Sequence, residues 1–164
     1  MKKIGLLIST VVIMALQLSG CSTQLKPDGL PKLHPTVLTL TQDGTPLAGA
    51  SVSLFAENEP ATWTIGGTTD ESGNVTLMTH GKFPGVPAGK YKVCVFKLEM
   101  VFPPGATNTD ENAAPVRPEE YDLVDVKLKS PVTTTLTLEI VPGKNHLPLD
   151  VGKPIRLKME SGGA

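Results

Sequence analysis

Apolar residues in this chain recur at every second position, in short runs, and each run is closed by glycine, proline or an Asp/Asn-containing turn. A period of two puts successive side chains on opposite faces of an extended strand, so each run has one apolar face and one polar face. Residues 36–41 place Leu38 and Leu40 on one side. Ala50, Val52 and Leu54 follow the same rule, with Ser51, Ser53 and Phe55 opposite, and Val75 and Leu77 continue it. The strongest run is 90–98, with Tyr91, Val93 and Val95 on one face and Lys92, Cys94 and Phe96 on the other. Val124, Val126 and Leu128 predict a short strand. Leu136, Leu138 and Ile140 alternate with Thr135, Thr137 and Glu139, and two further strands are expected around Leu147, Leu149 and Val151 and around Ile155, Leu157 and Met159. Beyond the first twenty-one residues, no apolar stripe at helical spacing exceeds a single turn. The pattern specifies an all-β domain, an antiparallel Greek-key β-sandwich with one wet face on each sheet.

Turn chemistry supports the same division. The chain holds 16 glycines and 15 prolines, and they fall between the apolar runs. Asp43-Gly44 supplies positive φ and Pro46 stiffens the exit. Residues 69–74 (TDESGN) make another turn, and 81–89 a longer loop. Residues 63–69 form a weaker strand in which Gly66-Gly67 is expected to mark a bulge. Residues 99–120 carry four prolines and read as an inserted loop, longer than compact domains normally hold. With 164 residues and no second shift of composition, the sandwich at 36–160 is a single domain. Charged residues are 19% and the formal charge is −1, which excludes a basic nucleic-acid footprint.

The N-terminus reads as delivery. Lys2 and Lys3 precede a mostly apolar run at 4–16, too short for a comfortable span, and small residues follow, as in a secretory signal peptide at 1–20. Leu18-Ser19-Gly20-Cys21 resembles a bacterial lipobox, which implies cleavage before Cys21 and diacylglycerol on its sulfur. Buried acyl groups contribute about 0.8 kcal/mol per CH₂, so two or more chains hold such a domain at a membrane. Cleavage removes Lys2 and Lys3 and leaves the acidic side chains in excess, so lipid rather than charge must hold it. Residues 21–35 are polar and proline-rich and read as a lipid-anchored tether. As a flexible coil it reaches on the order of 20 Å. The expected location is the cell envelope, at the outer membrane or the periplasm-facing inner membrane. Ser22, in place of Asp, resembles the outer-membrane sorting pattern of enteric bacteria. With Cys21 lipidated, Cys94 has no partner for a disulfide.

Three segments, DGTPLAGASVSLF, TTDESGNVTL and PAGKYKVCV, occur in order within 42–96. They resemble the carboxypeptidase regulatory-like domain, a transthyretin-like β-sandwich, and the tail 121–151 is similar to the ends of small bacterial lipoproteins built from it. The resemblance implies a non-enzymatic structural or protein-interaction module, since this fold serves many roles.

Candidate chemistry is sparse. His34 and His146 fall where 5-hydroxyisourate hydrolase, an enzyme of transthyretin-like fold, carries histidines. The C-terminal Tyr-Arg-Gly-Ser of that family is missing, however, and Arg117 and Arg156 lie far from the matching stretch. His34, His80 and His146 lack ligand spacing. Asp70, Glu71 and Asn74 offer oxygen donors suited to Ca²⁺, yet the resemblance implies a turn that works without metal. The expectation is therefore no catalytic residues, no cofactor and no metal. Trp63, the one tryptophan, is a candidate stacking platform for a carbohydrate or small ligand, or else a core residue. Expected partners are the membrane, through the lipid on Cys21, and an envelope protein or glycan, with no nucleic acid.

Overall fold

A computed structural model describes residues 26–57, 63–104 and 117–159. The signal peptide, Cys21 and most of the central proline-rich stretch lie outside the described residues. The chain divides into two compact units, Met1–Leu30 and Pro31–Ala164. The described part of the first is a turn, closed by the Leu30 N–H donating to the Pro27 carbonyl at 3.2 Å.

The described strands of the second unit are β1 (Leu33–His34), β2 (Thr36–Gln42), β3 (Thr45–Pro46), β4 (Ser51–Ala56), β5 (Ile65–Thr68), β6 (Asn74–Thr76), β7 (Met78–Thr79) and β8 (Phe83–Pro84). They continue with β9 (Val86–Pro87), β10 (Gly89–Phe96), β11 (Leu98–Val101), β12 (Glu119–Asp122), β13 (Thr137–Ile140), β14 (Asn145–Asp150) and β15 (Leu157–Lys158). The protein is all-β. One antiparallel sheet runs β13-β10-β4-β5-β7-β8, and a second runs β14-β2-β3, with β6 also on β2. Leu38 and Leu40 from the second sheet share one core with Val52, Leu54, Tyr91, Val93 and Val95 from the first, as a β-sandwich requires. β1 pairs with β9, and β11-β12-β15 form a separate three-stranded sheet.

The faces follow the alternation. Leu38, Leu40, Val93 and Val95 are fully buried, as are Ala50 and Leu77, while Ser51 and Ser53 point outward. Asp43 (φ 51°) and Gly44 (φ 77°) form the two-residue connection between β2 and β3, both in the left-handed region, as a hairpin of right-handed twist demands.

Strand direction and several local elements depart from expectation. β2 and β14 pair in parallel, Thr36 opposite Asn145 through Thr41 opposite Asp150. Alternation assigns faces and carries no information on direction. Gly66 and Gly67 mark no bulge: β5 stays in regular register with β4, Gly66 opposite Ser53 and Gly67 opposite Val52. Close approach explains both glycines, since a Cβ on Gly66 would lie 2.4 Å from the Val52 carbonyl oxygen, and one on Gly67 would lie 2.6 Å from Val75 Cγ2. The strand expected around Val126 is a 3₁₀ turn, Val126–Lys129. Asp125 caps it, its carboxylate accepting from the Lys127 N–H at 2.9 Å. Val124 and Leu128 are buried and Val126 is exposed, so the segment does not keep a period of two.

Strand structure begins inside the stretch 21–35 expected to be a tether. Leu33 and His34 are already in β1, and His34 is buried. The ends of the 99–120 stretch are paired strands, with Leu98 opposite Asp122 and Val101 opposite Glu119. The last strand is shorter than expected and faces water: β15 sits on β12, and Leu157 is 55% exposed.

The close approach at Gly66 is testable. In Gly66→Ala the added carbon meets a backbone oxygen that cannot rotate away, and chemical denaturation should show a loss of about 2–3 kcal/mol. A neutral or stabilised variant would restore the bulge.

Candidate functional site

The three motif segments are consumed in building turns. Thr69 Oγ1 donates to the Leu47 carbonyl at 2.6 Å and accepts from the Ala50 N–H at 2.8 Å, which pins the start of β4. Asp70 Oδ1 accepts from the N–H groups of Ser72 and Asn74, both at 2.9 Å. Gly73 sits at φ 77°, and its carbonyl accepts from the Leu40 N–H at 2.7 Å. The carboxylate considered as a calcium ligand is thus folded back on its own turn. In the third segment Tyr91, its ring against the core, donates from its hydroxyl to the Pro87 carbonyl at 2.9 Å. Among the described residues, no cluster of three or more His, Cys, Asp or Glu side chains is arranged to hold a metal ion.

The histidines have separate roles. His34 is buried, and its Nδ1 accepts from the Gly143 N–H at 2.9 Å, which places the ring proton on Nε2. It braces the turn that joins β13 to β14. His146 is exposed on β14, and its Nε2 lies 3.1 Å from Thr39 Oγ1. Since Thr39 donates to Asn74 Oδ1 at 2.7 Å, its oxygen receives the His146 N–H. A histidine donating to that hydroxyl is not placed to act as its base. Arg156 engages neither histidine: it donates to Glu99 at 2.7 Å and lies 3.6 Å over the Tyr121 ring.

Trp63 is half-buried, packs against the core, and meets the exposed His80 ring edge-on at 5.2 Å. Part of the indole is therefore in the core and part at the surface. Cys94 is buried on the outer face of β10, where burial pushes its thiol up and the neighbouring Lys92 opposes this. The 3₁₀ turn packs on β10, Lys92 Nζ donates to the Pro131 carbonyl at 2.9 Å, and Lys129 Nζ lies 4.7 Å over the Phe96 ring. Lys129 also pairs with Asp122.

One charged surface is invisible to sequence reasoning. Register puts Glu99, Tyr121 and Lys158 in a row across β11, β12 and β15. Lys158 donates to Glu119 at 2.5 Å, and the Tyr121 hydroxyl donates to the other Glu119 oxygen at 2.6 Å. Lys158 and then Tyr121 hold that carboxyl below its usual range. Glu119 and Tyr121 are two residues apart, but Lys158 lies far along the chain, so no local spacing signals the cluster.

No family model and no curated protein matches the chain. Among solved structures it is similar to a 9R-lipoxygenase from Cyanothece PCC8801, at 14% identity and a TM-score of 0.36, over 79% of this chain and 18% of that one. This chain thus spans less than a fifth of that protein, and so weak a likeness carries neither fold nor function across.

Two outcomes follow from this geometry. Trp63→Ala should cost about 1–3 kcal/mol in denaturation, less than a fully buried tryptophan loses, while acrylamide should quench the native fluorescence only partly. Full quenching with no loss of stability would place the indole outside the core. For Asp150, the Thr41 hydroxyl and then the N–H groups of Gly44 and Gly152 hold the carboxyl below the usual aspartate range. The unfolded chain therefore takes up this proton first as the pH falls. The stabilisation is present above the unfolded value, near pH 4, and is lost as pH drops through the lowered folded value. The stability difference between wild type and Asp150→Asn should be constant at neutral pH and shrink below about pH 4.

Proposed function

We propose that this chain is a bacterial lipoprotein, exported and held at the cell envelope by lipid on Cys21. Its β-sandwich, of the carboxypeptidase regulatory-like, transthyretin-like kind, serves as a non-enzymatic structural or protein-interaction module. The observation that carries this reading is the use of the polar motif residues. Thr69, Asp70 and Tyr91 from the motifs, and His34 ahead of them, bond the backbone of the sandwich and so hold its turns. Such a scaffold offers a stable surface beside a membrane, with contacts made by loops and exposed strands. The second reading, a carbohydrate or small ligand stacked at Trp63, is favoured by the half-exposed indole beside His80.

Metabolic labelling with palmitate tests the anchor. Wild-type chain is expected to incorporate label and to sediment with membranes, and Cys21→Ser to lose the label and remain in the unprocessed form. An unlabelled wild-type chain would overturn the lipoprotein reading.

A further inference from the structure

The small sheet β11-β12-β15 has two unlike faces. Residues directly opposite in an antiparallel ladder share a face, and so do residues two apart on one strand. Glu99, Tyr121 and Lys158 form one row, with Val101 and Glu119 beside it, and this is the ion-paired face described above. On the other face Leu98, Asp122 and Leu157 form a row. The next row is Met100, Glu120 and Met159. Met100 lies opposite Glu120. The Met159 N–H donates to the Glu120 carbonyl at 2.8 Å, one step along from Tyr121 opposite Lys158. A carboxylate therefore stands between two thioethers, one on each neighbouring strand. The row is open to solvent: Met100 is 57% and Met159 38% exposed, and Glu120 is half-buried. The other carboxylates of this sheet are taken, Asp122 by Lys129, Glu99 by Arg156 and Glu119 by Lys158. No described residue pairs with Glu120.

We propose that Met100, Glu120 and Met159 bind a soft monovalent cation, Cu(I). Thioether sulfur is a neutral, soft donor that selects Cu(I), whereas Ca²⁺ and Mg²⁺ require oxygen ligands. Glu120 supplies the one negative charge that balances the ion. Neighbouring strands lie about 5 Å apart, so β11 and β15 are about 10 Å apart with β12 between them. Methionine is unbranched and has three rotatable bonds, so both thioethers can fold inward over Glu120 and clasp one ion from opposite sides. Lys129, which reaches this face, is neutralised by Asp122 and does not cancel Glu120. Exposed Leu157 adds apolar surface beside the row. The ion enters and leaves as Cu(I), so no oxidant or reductant takes part. This binding goes beyond the scaffold role and depends neither on the lipid at Cys21 nor on Trp63.

Titration of the full chain in detergent, carrying ¹³C-methyl methionine, with Ag(I) tests this. Ag(I) has the charge and the soft-donor preference of Cu(I) and needs no reductant. The methyl signals report the thioethers themselves, whatever Cys21 and Cys94 take up. Met100 and Met159 should shift together and saturate on one shared ion, while Met78, on β7 of the six-stranded sheet, stays in place. Zn²⁺ and Ca²⁺ at the same concentration should move neither. In Met100→Leu the Met159 shift should need at least about tenfold more Ag(I), since losing even an outer partner of a metal commonly costs that much. Glu120→Gln should weaken the response of both methionines alike. Both methionines are exposed, so leucine there should leave the thermal transition unchanged. Unmoved Met100 and Met159 signals at saturating Ag(I) would overturn the proposal. So would a Met159 response that is the same with and without Met100, a Met78 shift of equal size, or equal shifts with Zn²⁺.

Discussion

Strand β2 holds this structure together. Its two fully buried leucines, Leu38 and Leu40, are the floor of the core, and its backbone is bonded on both sides along its length. On one side lie β3 and β6, with Leu40 also bonded to Gly73 and Leu47, and with Thr36 accepting from Leu77. On the other side lies β14, in parallel register over six residues. A parallel pair cannot be joined by a tight turn. Here the connection contains the whole six-stranded sheet, so the second layer of the sandwich is completed only when a segment near the beginning meets one near the end. Pairing of this kind requires closing a long loop before any ladder bond forms, which slows folding. His34, immediately before β2, fixes the turn that launches β14 through Gly143, so the parallel contact is set from its first residue.

Polar side chains in this fold mostly serve the backbone. Thr69 binds two main-chain groups, Asp70 two more, and Asn145 bonds the Val141 N–H, the Val141 carbonyl and the Gly143 carbonyl. No buried side-chain donor or acceptor among the described residues lacks a partner. An unpaired buried polar group costs about 1–3 kcal/mol, so satisfying the buried atoms among these in place stabilises the turns.

The candidate residues were legible to different degrees. Leu38, Val52, Val93 and Ile140 could be assigned to the core because alternation alone separates faces. Asp43-Gly44 could be assigned to a turn because few residue pairs accept two positive φ values. The glycines at 66–67 were visible as exceptions but not explained, since the atoms that exclude a side chain, the Val52 oxygen and Val75 Cγ2, belong to neighbouring strands. Val126 misled because three alternating apolar residues are too few to separate a strand from a capped 3₁₀ turn. The Arg156–Glu99 and Lys158–Glu119 pairs left no trace, because sequence spacing says nothing of which strands lie side by side.

The chain's own residues determined the secondary-structure class, the inward face of each main strand and the places where it turns. These depend on periodicity and on φ preferences within a few residues. Tertiary structure decided the direction of β14, the burial of His34 and the half-exposure of Trp63. Each of those depends on which distant segments become neighbours, and that is settled by packing a single core between two sheets.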